Sequence, residues 1–379
     1  MYVTPFPRAG VAALMSSMKE SFNMKRTMAT IMAAAMVMLA FAGCGSKQAE
    51  TPVSSADASA PAASAGSEAT DSSAASGDVI KLKLGMVDPE NSNYYKGAQA
   101  IAEEVKKATD GKIEITVYAG GQLGNERDMY EGAQMGTIDI CTTASAVLTS
   151  FVPEMAVLDQ PFLFANADEA HKVIDGKLGQ LIAEKTAAQG VHMVGWMESG
   201  FRNVFSVNPI EKIEDFKGVK IRTMENDIHM AAFNALGAIA TPMAAGDQFT
   251  ALQQHTIDAA ENATANVLAN NFYEITKNIT RSQHLFVFIG VGVSDKAWNQ
   301  IPDDLKDKFT EGVKAGCDKQ RQYLVEANEA AEKELTEKGV TFHDIDTATL
   351  QAAVQPAMEQ FKDRMPQEWL DAIAADKAA

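Results

Sequence analysis

The sequence predicts a two-lobed α/β protein, and three observations carry that prediction. Apolar residues alternate with period two, then recur at helical spacing, then alternate again, which is the signature of β-α-β units on a parallel sheet. From about Asp78 onward roughly 300 residues follow, more than one typical core holds and enough for two α/β domains. A second alternating run opens after Gly200.

Leu82, Leu84 and Met86 alternate with Lys81, Lys83 and Gly85, and Ala98, Ile101, Ala102 and Val105 then share one helical face. Ile113, Ile115 and Val117 alternate again and close the first β-α-β unit. Asn125 is placed to cap a helix ending near Gly136, and Ile138–Thr142 reads as a short buried strand. Further strands are expected at Val191–Met197, Val204–Val207, Lys220–Thr223, Ile239–Met243 and His284–Val293, with helices opening near Asp168, Asn226, Gly246 and Ala263. From Pro302 to Lys338 the residues Leu305, Phe309, Val313, Cys317, Leu324 and Leu335 fall on one stripe, ended by Gly339. At 1.5 Å per residue a single helix there would run ~50 Å, longer than a lobe of this size; a large helical hairpin fits the same pattern.

The chain ahead of this region is not read as fold. Lys25 and Arg26 precede a mostly apolar run, Thr27–Gly43, and then Cys44, so residues 1–43 read as a signal peptide, with Met24 as the expected true start. L-A-F-A-G-C resembles a bacterial lipoprotein box, with Phe41 where a small aliphatic residue is usual, and makes Cys44 the expected lipidation site. Residues 44–78 are rich in Ser and Ala, hold no aromatic residue, and read as a lipid-anchored disordered tether.

Composition excludes several function classes. A formal net charge of −17, with no concentrated basic face, argues against nucleic acid. It does not argue against an anionic ligand, because screening limits the global charge to about 8–10 Å while local donors act within a few ångströms. Besides Cys44 only Cys141 and Cys317 occur, without C-x-x-C or metal-ligand spacing, so both read as small core residues and no metal is expected. The chain has no G-x-S-x-G, H-E-x-x-H or G-x-x-x-x-G-K, and its 6 histidines are scattered, so no catalytic constellation is visible and no cofactor is expected. The G-G-x-x-G at 120–124 lacks the dinucleotide-binding spacing and reads as a simple loop.

The chemistry concentrates between Gly200 and Asn262. G-F-R-N places Arg202, G-V-K-I-R places Arg222 at the end of a short strand, and D-A-A-E-N places Asn262. A guanidinium is a planar fork of donors that matches a carboxylate edge, so two arginines with an amide suggest an organic-anion clamp.

The ordered series Arg202, K-I-R ending at Arg222, L-G-A at 236–238, T-P-M at 241–243, A-L-Q at 251–253 and E-N at 261–262 resembles the DctP-like substrate-binding proteins of tripartite ATP-independent periplasmic (TRAP) transporters. The resemblance runs from about Lys81 to about Leu335. It implies a periplasmic-binding-protein-like (type II) fold with one long helix spanning both lobes, residues 79–199 plus 288–327 forming lobe I and 200–287 plus 328–379 lobe II. Arg222 is then the carboxylate partner of the ligand, Arg202 the second ligand arginine and Asn262 the amide beside them. D-A-A-E-N-A departs from the family, which usually has Gly-Gln before E-N and Pro after it. Glu198 either accepts from ligand hydroxyls or orients an arginine. Asn93 and Glu225 are further ligand-binding candidates, while Tyr94, Glu126 and Asn226 are expected near the cleft in structural or solvated roles. Ala144 and Val147 stand where sialate binders of the family place an acid and an arginine, which disfavours sialate, and Ala245 stands where many relatives have an aromatic residue.

The function so implied is that of a non-enzymatic, extracytoplasmic solute-binding subunit. It would take a C4-dicarboxylate, a sugar acid or a keto acid, need no cofactor, and deliver the ligand to TRAP permease subunits. It would be held at the membrane, in the periplasm or on the outer face, only by its N-terminal lipid anchor. The alternative is a ligand-sensing surface lipoprotein serving a membrane receptor.

Overall fold

The computed structural model describes residues 79–378; the expected signal segment, Cys44 and the tether lie outside them. The chain runs β1 (Ile80–Gly85), α1 (Asn93–Ala108), β2 (Ile113–Tyr118), α2 (Glu126–Gln134), β3 (Ile140–Ala144), α3 (Ser145–Leu148), α4 (Ala167–Asp175), α5 (Lys177–Ala187) and β4 (Val191–Ser206). It continues through β5 (Lys220–Thr223), α6 (Asp227–Ala235), β6 (Ile239–Pro242), α7 (Gln248–Gln253), β7 (Ala259–Asn262), α8 (Thr264–Ala269) and β8 (Asn278–Ser294). The last elements are α9 (Asp295–Trp298), α10 (Asp303–Glu337), β9 (Thr341–His343), α11 (Thr347–Met358) and α12 (Gln367–Ala378).

One sheet carries the strands in the order β2-β1-β3-β8-β4-β7-β5-β6, with β9 also paired to β8. Its spine is the antiparallel pair of β4 (16 residues) and β8 (17 residues). The parallel β1–β2–β3 group joins at the Ile289–Val293 end of β8, whereas β7 joins at Asn203–Ser206 of β4 and β9 at Asn278–Thr280 of β8. The spine was expected as separate strands near Val191–Met197 and Val204–Val207, but β4 is continuous. Its register against β8 shifts at Met193/Gly195, Glu198/Gly200 and Arg202/Val204, so the strand bends at bulges without ending. Gly200, with φ +69°, supplies the left-handed residue at the middle bulge.

The 35-residue α10 is one helix and not a hairpin. It packs along α1, crosses β4 and reaches α8. Gly312 and Gly316 let the backbone of α1 approach: a Cβ at Gly316 would lie 2.4 Å from Ile101 Cα, and one at Gly312 2.7 Å from Val105 Cα. At its other end Asn328 Oδ1 accepts from Ala265 N at the start of α8 (2.9 Å). Every member of the expected stripe, Leu305 through Leu335, is buried.

The Asn125 cap forms as expected, with Asn125 and Asp128 closing a capping box. Cys141 and Cys317 are both buried and free. The expected allocation of 328–379 to one lobe does not match the packing of α12. Trp369 and Ile373 share a core with Val173 and Ile182 of α4 and α5, and Leu178 N donates to Asp376. The apolar face of this terminal helix finds its cover there rather than on β5–β7.

Candidate functional site

Strands β4, β7 and β5 are neighbours, so Arg202, the Glu261–Asn262 pair and Arg222 lie side by side despite their separation in sequence. Arg202 is buried and its donors are fully engaged. Nε and Nη2 donate to the two carboxylate oxygens of Glu261, Nη2 also donates to the Glu261 carbonyl (2.6 Å), and Nη1 donates to Ser199 Oγ (3.0 Å) and Asn262 Oδ1 (2.9 Å). Those five bonds use the five N–H groups of a guanidinium. Burial opposes charge on Glu261, but the Arg202 guanidinium beside it wins and holds its carboxyl well below the usual range. His284 Nε2 lies 3.5 Å from Glu261 Oε2, and burial pushes its imidazole below the usual value.

Asn262 is oriented by the same network. Its Oδ1 accepts from Arg202, from Ser199 Oγ (3.2 Å) and from Ala263 N (2.8 Å), which fixes the amide with Nδ2 on the opposite side. That Nδ2 donates once, to Asn266 Oδ1 (2.9 Å), leaving its second N–H for the cavity that Asn262 lines.

Arg222 differs from Arg202. It is only 3% exposed, yet no carboxylate lies within salt-bridge distance among the described residues. Nε and Nη2 both donate to Met243 O, at 2.9 and 2.6 Å, and the other three N–H groups find no acceptor among the described residues. Burial pushes the guanidinium down to about 10, against the pull of Glu261, Glu126 and Glu225. It stays charged at neutral pH, desolvated and without a counter-ion.

Arg222 and Arg202 line a cavity of about 80 Å³ with Asp88, Tyr94, Glu126, Ala144, Ala245 and Asn262. A smaller adjoining space holds Glu225 and Val147 beside Arg222. Two expected site residues are elsewhere. Glu198 turns its carboxylate to His171 Nε2 (2.5 Å) and lines a separate groove with Phe201, Arg281 and Leu324. Asn93 bonds through Oδ1 to Gln320 Nε2 (2.8 Å) in the packing of α1 on α10. Alternation along β4 explains the first: the bulge at Glu198/Gly200 sends Ser199, not Glu198, toward Arg202. Asn226 caps α6 and donates to Asp159 and Ala146 O, as a structural residue does.

Residues the sequence reading missed or underrated are also present. Tyr94 and Glu126 line the cavity; Tyr94 donates to Ser199 Oγ (3.0 Å), and Glu126 Oε1 accepts from Ala144 N (2.7 Å). Asp88, Asn266 and Asn270 were not singled out. Asn262, Asn266 and Asn270 recur at four-residue spacing and form an amide chain, with Asn270 Nδ2 donating to Asn266 Oδ1 (3.1 Å) and Asn266 Nδ2 to Asp88 Oδ1 (3.3 Å). That spacing is the signal that would have found them. The whole arrangement offers cationic and amide donors at one place and carboxylate acceptors at another, which suits binding a polar anion.

Comparison with known proteins places this geometry in context. The profile of bacterial extracellular solute-binding protein family 7, DctP, matches residues 84–364. A solute-binding protein of Verminephrobacter eiseniae is 31% identical over 294 residues, covering 77% of this chain and 88% of the relative. A crystal structure of a TRAP periplasmic solute-binding protein from Polaromonas sp. JS666, bound to D-erythronate, aligns with TM-score 0.75 and 32% identity over 79% of this chain and 99% of that one. The sugar acid binding protein of Advenella mimigardefordensis, in complex with galactonate, aligns with TM-score 0.76 and 30% identity over 79% of this chain and 98% of that one.

Proposed function

Because this chain belongs to bacterial extracellular solute-binding protein family 7, a family of binding proteins and not enzymes, we propose that its cavity takes a sugar acid and hands it to a TRAP permease. The observation that carries this reading is Arg222, a buried guanidinium with no carboxylate partner among the described residues and three N–H groups free. A ligand carboxylate supplies the missing counter-ion, with Asn262 Nδ2 as a second donor. Arg202 then acts as a positioning residue that sets Asn262 and Glu261 rather than as a second ligand arginine, since its donors are spent. The galactonate and D-erythronate held by the aligned structures support a polyhydroxy acid over a keto acid. Ala144 and Val147, where sialate binders place an acid and an arginine, disfavour sialate.

In this reading a ligand that bonds groups on both sides of the cavity favours a closed form, which the permease recognises. Lipidation at Cys44 would keep the protein beside its membrane partner. Mass spectrometry of the cell-made protein checks it: an acylated Cys44 supports the anchor, and an unmodified mature chain overturns it.

The binding reading is tested by isothermal titration of aldonates, uronates, succinate and pyruvate into the purified chain, beside Arg222→Ala. A sugar acid that binds the wild type and loses about 100-fold or more in the variant supports it. An affinity unchanged by Arg222→Ala, or no binding of any acid, overturns it.

A further inference from the structure

The cavity around Arg222 also carries acids. Asp88 follows β1, in a loop whose Asp88 carbonyl accepts from Gly120 N (2.8 Å), and Glu126 is the first residue of α2. Both are half-buried and both line the cavity. Asp88 Oδ1 accepts from Asn266 and Glu126 Oε1 from Ala144 N, while the second oxygen of each receives no side-chain hydrogen bond among the described residues. Neither has a cation within ion-pair distance among those residues, because Arg202 is committed to Glu261.

The two acids are not equivalent. Arg222 is the leading charge acting on Glu126, whereas the charges acting most on Asp88 are Glu126 and then Arg202. Glu126 also lines the smaller adjoining space beside Arg222, which Asp88 does not reach, and Asp88 is held instead by Asn266 Nδ2 (3.3 Å), so Asp88 belongs to the part of the cavity beyond that space. A ligand whose carboxylate meets Arg222 presents its other end to Asp88.

We propose that Asp88 reads that other end, accepting a hydrogen bond from a ligand hydroxyl and rejecting a second carboxylate, so that the site separates aldonates and uronates from diacids of the same carbon skeleton. This rests on the sugar-acid reading of the cavity and narrows it. A hydroxyl donating to an ionised carboxylate makes a charge-assisted bond. A carboxylate in the same place adds repulsion between two desolvated anions, and a site discriminates most strongly by such an unfavourable pairing. Burial and Glu126 push Asp88 up to about 7, so the discrimination strengthens as the pH rises through that value.

The test uses isothermal titration at pH 8. Galactonate is compared with galactarate, and gluconate with glucarate; each diacid differs from its aldonate only in the oxidation of one terminus. The wild type is expected to prefer the monoacid by about tenfold or more, the scale of one charge-assisted hydrogen bond. Asp88→Asn, of the same size and without the charge, should weaken the monoacid and bring the diacid within about threefold of it or ahead of it. A wild type that binds a diacid as tightly as its monoacid overturns the inference with no variant needed. So does an unchanged preference in Asp88→Asn, even though Arg222 still binds its carboxylate. If no acid binds the wild type at all, the sugar-acid reading falls and this inference falls with it.

Discussion

Arg202 grips Glu261 three times, at both carboxylate oxygens and at the backbone carbonyl, and so fixes the strand end from which Asn262 projects. Both partners are buried. Glu261→Gln removes the charge and leaves Arg202 unmatched in the core, an arrangement that costs about 3–5 kcal/mol when one partner of a buried pair is lost. Urea unfolding at pH 7 measures it. The sign with pH follows from the depressed carboxyl of Glu261: its stabilisation is complete above the unfolded glutamate value of about 4.3 and is lost as the pH falls through the lower folded value. The gap between wild type and variant should therefore narrow in acid. A gap under about 1 kcal/mol at pH 7 would show that the pair merely breaks even against its desolvation.

Arg222 predicts the opposite behaviour. Among the described residues its charge is desolvated and compensated only by the Met243 carbonyl and distant carboxylates. Arg222→Met keeps the volume and drops the charge, so the ligand-free protein should gain about 1–3 kcal/mol while acid binding disappears. Denaturation without ligand, paired with titration, reads both. A variant that is less stable and still binds would make Arg222 a structural tie to Met243.

Much of this architecture is legible in the chain, and the illegible parts share a cause. Lys220–Thr223 and the α10 stripe are read correctly because period two and period 3.6 are local signals. The continuity of β4 is not local: G-F-R looks like a break, and only the pairing of Gly200 and Arg202 with β8 carries the strand through its bulges. Arg222 and Asn262 are found by motif, but no motif tells that Arg202 spends its donors inward, because that depends on Ser199, Glu261 and Asn262 arriving together from two strands. Asp88 sits in an ordinary-looking D-P loop. Its meaning comes from Asn266, 178 residues away.

Gln320 supports the spine at its middle bulge. It is fully buried; its Oε1 accepts from Glu198 N (2.8 Å), and its Nε2 donates to Glu198 O (2.9 Å) and Asn93 Oδ1 (2.8 Å). The two Glu198 partners are backbone groups at the register shift between Glu198 and Gly200. Gln320→Leu fills the space but leaves both unpaired, at about 1–3 kcal/mol for each buried group. Urea unfolding should show a loss of about 2–5 kcal/mol, and hydrogen exchange should show the Glu198 amide opening faster than that of Ile140 in β3. Equal protection at both would mean that β8 alone holds the bulge.

Asp88 couples stability to pH without ligand. Burial and the Glu126 charge raise its carboxyl to about 7 from an unfolded value of 3.8. A raised carboxyl favours the folded state below the unfolded value, and this contribution is lost as the pH rises through the folded one. The ligand-free wild type should therefore lose more stability between about pH 4 and 7 than Asp88→Asn does. At pH 8 the variant should be the more stable by about 1–2 kcal/mol, a figure discounted for solvent reaching Asp88 through the cavity; at pH 4 the two should nearly coincide. Glu126, also raised, remains in both proteins, so the difference reports Asp88 together with its coupling to Glu126. Parallel stability curves from pH 4 to 8 would mean that Asp88 ionises freely in the cavity, and the charge on which its discrimination depends would then be fully hydrated.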